Sequence, residues 1–505
     1  MRAIGILLCL VSFARADALV TVDAMNATTI AEIFVERSEI RVELEVGAAD
    51  ADAFAPPTDS WRLEADGVAL TPRDRTSSVS SRIQRDPITG EPVGESKEPV
   101  GRVRLLYARP PAAKSITLRA PPGTTVGFVL YHEGVAVNDF RYLPGVATVD
   151  LDPDDPWYSR FRHRNLRRRY DAPIQVFLYV EPWEIRKELL VRPRDLGLTD
   201  GDTIPVEVQA QLKERARDLL AKHGAVTVDG APVAMELDRI HFVRRTLRQT
   251  GVIDPPEELT SVSAMLGVVY VHPRAGTLPK DVRLRWELFP ERVAFIPAVA
   301  TDEAGGLPAR ITRDDPELIW SNYLKDPRDA GFVDVPAPSR PLPIFAIALA
   351  CFAVPFLRRR KWAVGIALLV AAAALVPARR APDPGPAVVE GLLRNVYRAF
   401  DMHGEEPVYD ALARSLEGPD LRQAYLQLRR SLELRNQGGA RVKVHEVALL
   451  EADPADCAWE VTGTVGHWGH LHQRTNRYRA VLRLEPVNGQ WKITALEVRD
   501  EERLR

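Results

Sequence analysis

The sequence predicts a multidomain, β-rich chain closing in an α+β domain, and three observations carry that prediction. Short alternating apolar segments, punctuated by glycine and proline, run to about residue 333. Two apolar runs then interrupt the chain between residues 342 and 378. Three helix-period segments followed by four strand-period segments fill residues 384–505. At 505 residues, and roughly 150 per domain, there is room for about three folded units. A 46% hydrophobic content and a net charge of −2 are ordinary for globular material and carry no excess positive charge for nucleic acid.

The amino-terminal "MRAIGILLCLVSFARADA" combines Arg2, an apolar run from Ala3 to Ala14, and small residues at Ala14 and Ala16. This pattern predicts a secretory signal peptide over residues 1–16 and hence export. Of the three cysteines, Cys9 would leave with the signal and Cys351 lies in an apolar run. Cys457 is then the one cysteine of the predicted soluble parts, which excludes a disulfide framework there. Beside Trp459 it reads as a small core residue.

Residues 17–151 predict an all-β sandwich and residues 152–333 a second β-rich domain. Asp66-Gly67 and Asp229-Gly230 sit between apolar or β-branched residues, the signature of hairpin turns that need φ > 0. One helix is expected over residues 206–223, where Leu212, Ala216, Leu219 and Leu220 share a face and Gly224 supplies the stop. The boundary is set at "DPDDP", residues 152–156, whose Asp152, Asp154 and Asp155 lack the glycine turn and distal glutamate of a calcium loop. Directly after it, "SRFRHRNLRRRY" packs Arg160, Arg162, Arg164, Arg167, Arg168 and Arg169 together. That cluster is either a solvated basic face or a patch for an anionic partner.

The proline-rich residues 334–343 predict a stiff linker into a two-helix transmembrane hairpin over residues 342–378. Each apolar run holds about 16 residues, about 24 Å as a helix, and the basic turn at residues 358–361 is expected on the cytoplasmic side. The soluble domains would then face outward, in the periplasm of a bacterial-type envelope. The expectation is an integral membrane protein with the membrane as one partner and a protein, or its own copy, as another.

In the carboxyl-terminal unit, Val389, Leu392, Leu393, Val396, Tyr397 and Phe400 form one helical stripe. Further helices are expected near residues 407–416 and 420–435, then strands near 440–450, 457–467, 470–486 and 490–499. Three histidines, His467, His470 and His472, crowd the turn between the second and third strands. A two-residue turn at Trp468-Gly469 would pair His467 with His470, Val465 with His472, Gly463 with Arg474 and Trp459 with Tyr478. Alternation then puts all three histidines on the core-facing side together with Arg474, Asn476 and Tyr478. Cross-strand neighbours lie roughly 5 Å apart, so the imidazoles could converge on one zinc or copper ion. No acidic ligand is evident nearby and Arg474 would repel a cation, so a polar pocket rim and a plain surface hairpin remain open beside the metal. Strict pairing about Asn488-Gly489 would point Glu497 inward as a buried base, but a bulge that keeps Ile493, Leu496 and Val498 inside would turn it to solvent.

Helices followed by a curved meander ending in "VNGQWKITALEV" resemble the nuclear-transport-factor-like, or cystatin-like, α+β cone. The resemblance covers the last 120 or so residues and implies a pocket between the concave sheet and the helices. It also implies that His470, His472, Arg474, Asn476 and Tyr478 line the pocket mouth. An early hairpin between the helices, usual in that superfamily, is not evident here. No nucleophile elbow, phosphate loop, dinucleotide fingerprint or HExxH helix occurs in the chain. The expectation is therefore a non-catalytic interaction or scaffolding role for an anchored envelope protein, with a metal-binding module on the histidine hairpin as the alternative.

Overall fold

A computed structural model describes residues 23–55, 61–85, 92–168, 171–245, 250–325, 327, 330–338, 344–358, 362–375, 384–438, 441–468 and 470–504. The expected signal peptide at residues 1–16 lies outside them, as does Arg169. The first unit is a sandwich of a seven-stranded and a five-stranded sheet. Inward-facing Ile33, Val42, Leu105, Leu118 and Phe128 form its core. It runs past the expected boundary, because the strand Arg160–Phe161 pairs with Val146–Asp150 and both Phe161 and Leu166 pack inside. The turn at Asp66-Gly67 has φ of 48° and 81°, and the Asp66 carboxylate accepts from the Lys114 and Ser115 backbone N–H groups.

The middle unit is built on a second seven-stranded sheet, with a four-stranded and a two-stranded sheet beside it. Helix α1, Val206–Ala221, buries Leu212, Ala216 and Leu220 and gives way to Gly224, whose φ of 77° suits a residue without a Cβ. Val176, Leu189, Val268 and Trp286 join this core.

The expected transmembrane hairpin is overturned. Helices α2, Ile344–Arg358, and α3, Trp362–Leu375, hold 15 and 14 residues, which rise about 22 and 21 Å. A hydrocarbon core is about 30 Å thick and takes roughly 20 apolar residues to cross. No helix among the described residues is long and apolar enough to cross a membrane. The integral membrane partnership falls with it, as do the membrane location and the assignment of residues 358–361 to the cytoplasmic side. The two helices pack on each other with Gly365 against Leu357, and Pro355 lies inside α2, one turn from its end.

The described part of the expected linker, residues 334–338, straps onto the last domain. Asn395 exchanges two 2.8 Å hydrogen bonds with the Val333 backbone, Trp491 N–H donates to the Val335 carbonyl at 2.9 Å, and Ala337 N–H donates to that of Gly489 at 2.9 Å. Val335 is buried in that domain's core, so its side chain holds a segment whose prolines alone read as a spacer. Helices α4, Pro386–Arg398, α5, Glu405–Ala413, and α6, Gly418–Gly438, cover a four-stranded antiparallel meander. Its strands are Arg441–Glu451, Cys457–His467, His470–Val487 and Gln490–Arg503.

Candidate functional site

The strand Glu184–Val191 positions the site, because all eight of its residues are buried. Ile185, Leu189 and Val191 join the core under α1, where Lys187 donates to the Gly224 carbonyl at 2.8 Å. Alternation sends Glu184, Arg186, Glu188 and Leu190 to the other face. A sheet that left this face in water would not bury three charged residues there, so the face must be covered. Arg186 answers both carboxylates, at 3.4 Å from Glu184 and 3.2 Å from Glu188, and lies 4.2 Å from the centre of the Tyr179 ring.

The cover comes from the carboxyl-terminal domain. Its central hairpin has the predicted register, with His467 opposite His470, Val465 opposite His472, Gly463 opposite Arg474 and Trp459 opposite Tyr478. At the turn, Trp468 takes φ 46° and is only 2% exposed. The indole packs with Phe177, Leu190, Met265 and Val269 of the middle sheet and Trp157 of the sandwich linker. Gly267 makes the seat: a Cβ there would lie 2.6 Å from two carbons of the Trp468 ring. A residue poorly suited to a tight turn thus stands there because the turn is a plug.

Beside the plug the two domains leave a cleft of about 490 Å³, within the range of roughly 300–1,000 Å³ usual for small-molecule sites. Its walls are Tyr179, Trp183, Arg186 and Leu278 from the middle unit, Glu390, Arg394 and Arg398 on α4, and Lys443, Val444 and Val447 on the meander's edge strand. Lys443 is ion-paired with Glu181 across the joint. Burial pulls the Lys443 ammonium down to about 7, a shift the adjoining carboxylate opposes. Arg398 pairs with Asp401 at 2.8 Å, and His445 Nε2 shares a 2.8 Å hydrogen bond with the Thr464 hydroxyl.

The residues singled out in the sequence fall into three places. Arg474, Asn476 and Tyr478 do face inward, at 3%, 3% and 0% exposure, inside the domain. Tyr478 stacks on Trp459 with ring centres 5.6 Å apart, and the Asn476 amide donates to the Tyr478 hydroxyl and to Glu501 at 3.2 Å. The side chains of His467, His470 and His472 lie outside the described residues; only their backbone pairing is fixed. Among the described residues, no group of three His, Cys, Asp or Glu side chains is placed to hold a metal ion. In the arginine run, Arg160, Arg162 and Arg164 are exposed, with Arg162 on Asp150 at 2.9 Å. Arg167 donates to the Phe161 carbonyl, and Arg168 donates to those of Ala136 and Trp157 while covering the Trp157 ring, so these two fasten the linker.

Two smaller expectations can be placed as well. Glu497 is exposed, since a bulge pairs Leu484 with Ile493 but Leu482 with Leu496. Cys457 is buried and its thiol is pushed up to about 12 by burial, the state of an inert core residue. Sequence reasoning missed the cleft itself. Its one advance signal was the charged run Glu184, Arg186, Lys187 and Glu188 inside a segment otherwise fit for a core. A comparison with protein-family models and with curated proteins finds no match.

Proposed function

We propose that the chain is a non-catalytic binding protein, in which the carboxyl-terminal α+β domain docks on the middle domain and closes a cleft that receives a small ligand. One observation supports this most: a single cleft takes its walls from both units, beside an indole whose seat on Gly267 tolerates no side chain. Ligand sites favour such interdomain joints, where a bound molecule adds contacts to both sides and so favours the docked form. The test is thermal unfolding of the full chain with millimolar members of four classes, namely amino acids and peptides, organic acids, sugars, and nucleotides. At least one class should raise the unfolding midpoint of the wild type and fail to raise that of Trp468→Ala, where truncating a buried tryptophan costs docking about 3–5 kcal/mol. A wild type that responds to no class would sink the reading.

A second reading, a zinc or copper centre on the histidine hairpin, draws support from the pairing of His467 with His470 and of Val465 with His472, which brings the three positions together. Metal content of the full chain, beside a His467/His470/His472 triple-alanine variant, decides it. Near-stoichiometric metal lost only in the variant favours the centre; a wild type still metal-free after reconstitution with either ion rules it out.

A further inference from the structure

Most charges that face the cleft already have partners. Lys443 has Glu181, Arg398 has Asp401, and Arg186 has Glu184 and Glu188. The Asp302 carboxylate accepts from Ala304 N–H at 2.8 Å and from the Trp320 indole N–H at 2.9 Å. Glu390 and Arg394 differ: both line the cleft, both are half-buried, and among the described residues neither makes an ion pair or side-chain hydrogen bond. They stand four residues apart on α4, so their Cβ atoms are about 6 Å apart on one helical face. A free carboxylate and a free guanidinium one turn apart can be satisfied together by a molecule that carries the opposite pair. The same cleft also offers apolar and aromatic side chains, Tyr179, Trp183, Leu278, Val444 and Val447, between its paired charges.

Resting on the cleft reading above, we propose that the ligand is a zwitterion with an apolar body, a free apolar amino acid or a short peptide. Its carboxylate sits on the Arg394 guanidinium and its ammonium on the Glu390 carboxylate. A simple anion would leave Glu390 unanswered and would face the exposed Glu446 at the rim; a simple cation would leave Arg394 unanswered. A guanidinium reads a carboxylate through two parallel N–H donors, which fixes the ligand's orientation as well as its charge.

The experiment is calorimetric titration of the full chain with leucine, phenylalanine and the dipeptide Leu-Phe. Two analogues of leucine accompany them, 4-methylpentanoate, which lacks the ammonium, and isoamylamine, which lacks the carboxylate. The zwitterions should bind, and each analogue should bind weaker by roughly 10- to 100-fold. Arg394→Gln should weaken leucine by a similar factor and leave isoamylamine unchanged, and Glu390→Gln should do the converse with 4-methylpentanoate. Both variants alter half-buried positions on the outside of α4, and matching far-ultraviolet circular dichroism confirms that they are folded. Binding of 4-methylpentanoate or isoamylamine as tight as leucine overturns the proposal, as does leucine affinity within twofold of wild type in Arg394→Gln. A cleft that takes a sugar or a nucleotide and ignores the zwitterions overturns it while the cleft reading stands; silence towards every class removes both.

Discussion

His132 shows how much one buried polar atom can govern. It is 1% exposed, and its Nδ1 lies 2.7 Å from the Ser159 hydroxyl, whose oxygen accepts from Asp152 N–H at 2.9 Å. Nδ1 and the hydroxyl share that one hydrogen bond, which a neutral imidazole satisfies. Nε2 is buried with no hydrogen-bond partner, so a second proton would bring an unanswered charge. Burial, helped by the Arg109 guanidinium, pulls the group down from 6.5 to about 4, against the opposing carboxylates of Glu133 and Asp152. The unfolded chain therefore holds more protons than the folded one between those values. Stability that is full above pH 6.5 falls as the pH drops towards 4, by up to roughly 3 kcal/mol at about 1.4 kcal/mol per unit. Calorimetric scans at pH 6.5 and 4.5 should show the sandwich losing less of its midpoint in His132→Gln than in wild type. Equal losses in the two proteins would mean that His132 is not the acid-sensitive group.

At the scale of elements, legibility followed how local the determining physics was. Hairpins were readable because a two-residue turn with φ > 0 fixes both the turn and its register. Asp66-Gly67, Asp229-Gly230 and Asn488-Gly489 all take that form. The same arithmetic found the pairing of the histidine hairpin, although Trp468 argued against it as a turn residue; its reason lies across the joint in Gly267. Helix α4 was half legible. Its apolar stripe named Val389, Leu392, Leu393 and Val396, all buried, whereas nothing in the pattern marked Glu390 and Arg394, because a cleft wall and a wet surface use the same residues. The apolar runs misled for a related reason. Hydropathy measures what a segment avoids, and runs of about 16 residues sit between the lengths of a buried helix and a spanning one. The helices formed, at 15 and 14 residues, are too short for the second.

For the whole molecule, the question is what makes three separately cored units hold one arrangement, and the answer lies in the stretch that reads as a plain acidic linker. Arg192, whose side chain is 1% exposed, binds both oxygens of Asp155, the Asp195 carboxylate and, at 3.1 Å, the Val262 carbonyl. Asp155 also caps the short turn that carries Trp157, the residue packed in the same cluster as the Trp468 plug. One buried cation therefore joins the sandwich's linker to the middle sheet, and the final domain reaches it through the Trp157 ring. Arg192→Met should cost about 3–5 kcal/mol, because it strands two buried carboxylates without their cation. The neighbouring Asp152–Arg292 pair, with Arg292 45% exposed, should cost under about 1 kcal/mol when Arg292 is replaced by methionine. Differential scanning calorimetry separates the two cases: Arg192→Met should split the unfolding of the sandwich from that of the middle unit into two transitions, and Arg292→Met should leave the wild-type profile. If Arg192→Met kept that profile with an unchanged midpoint, the linker would be a passive connection. The Trp468 plug would then hold the joint without it.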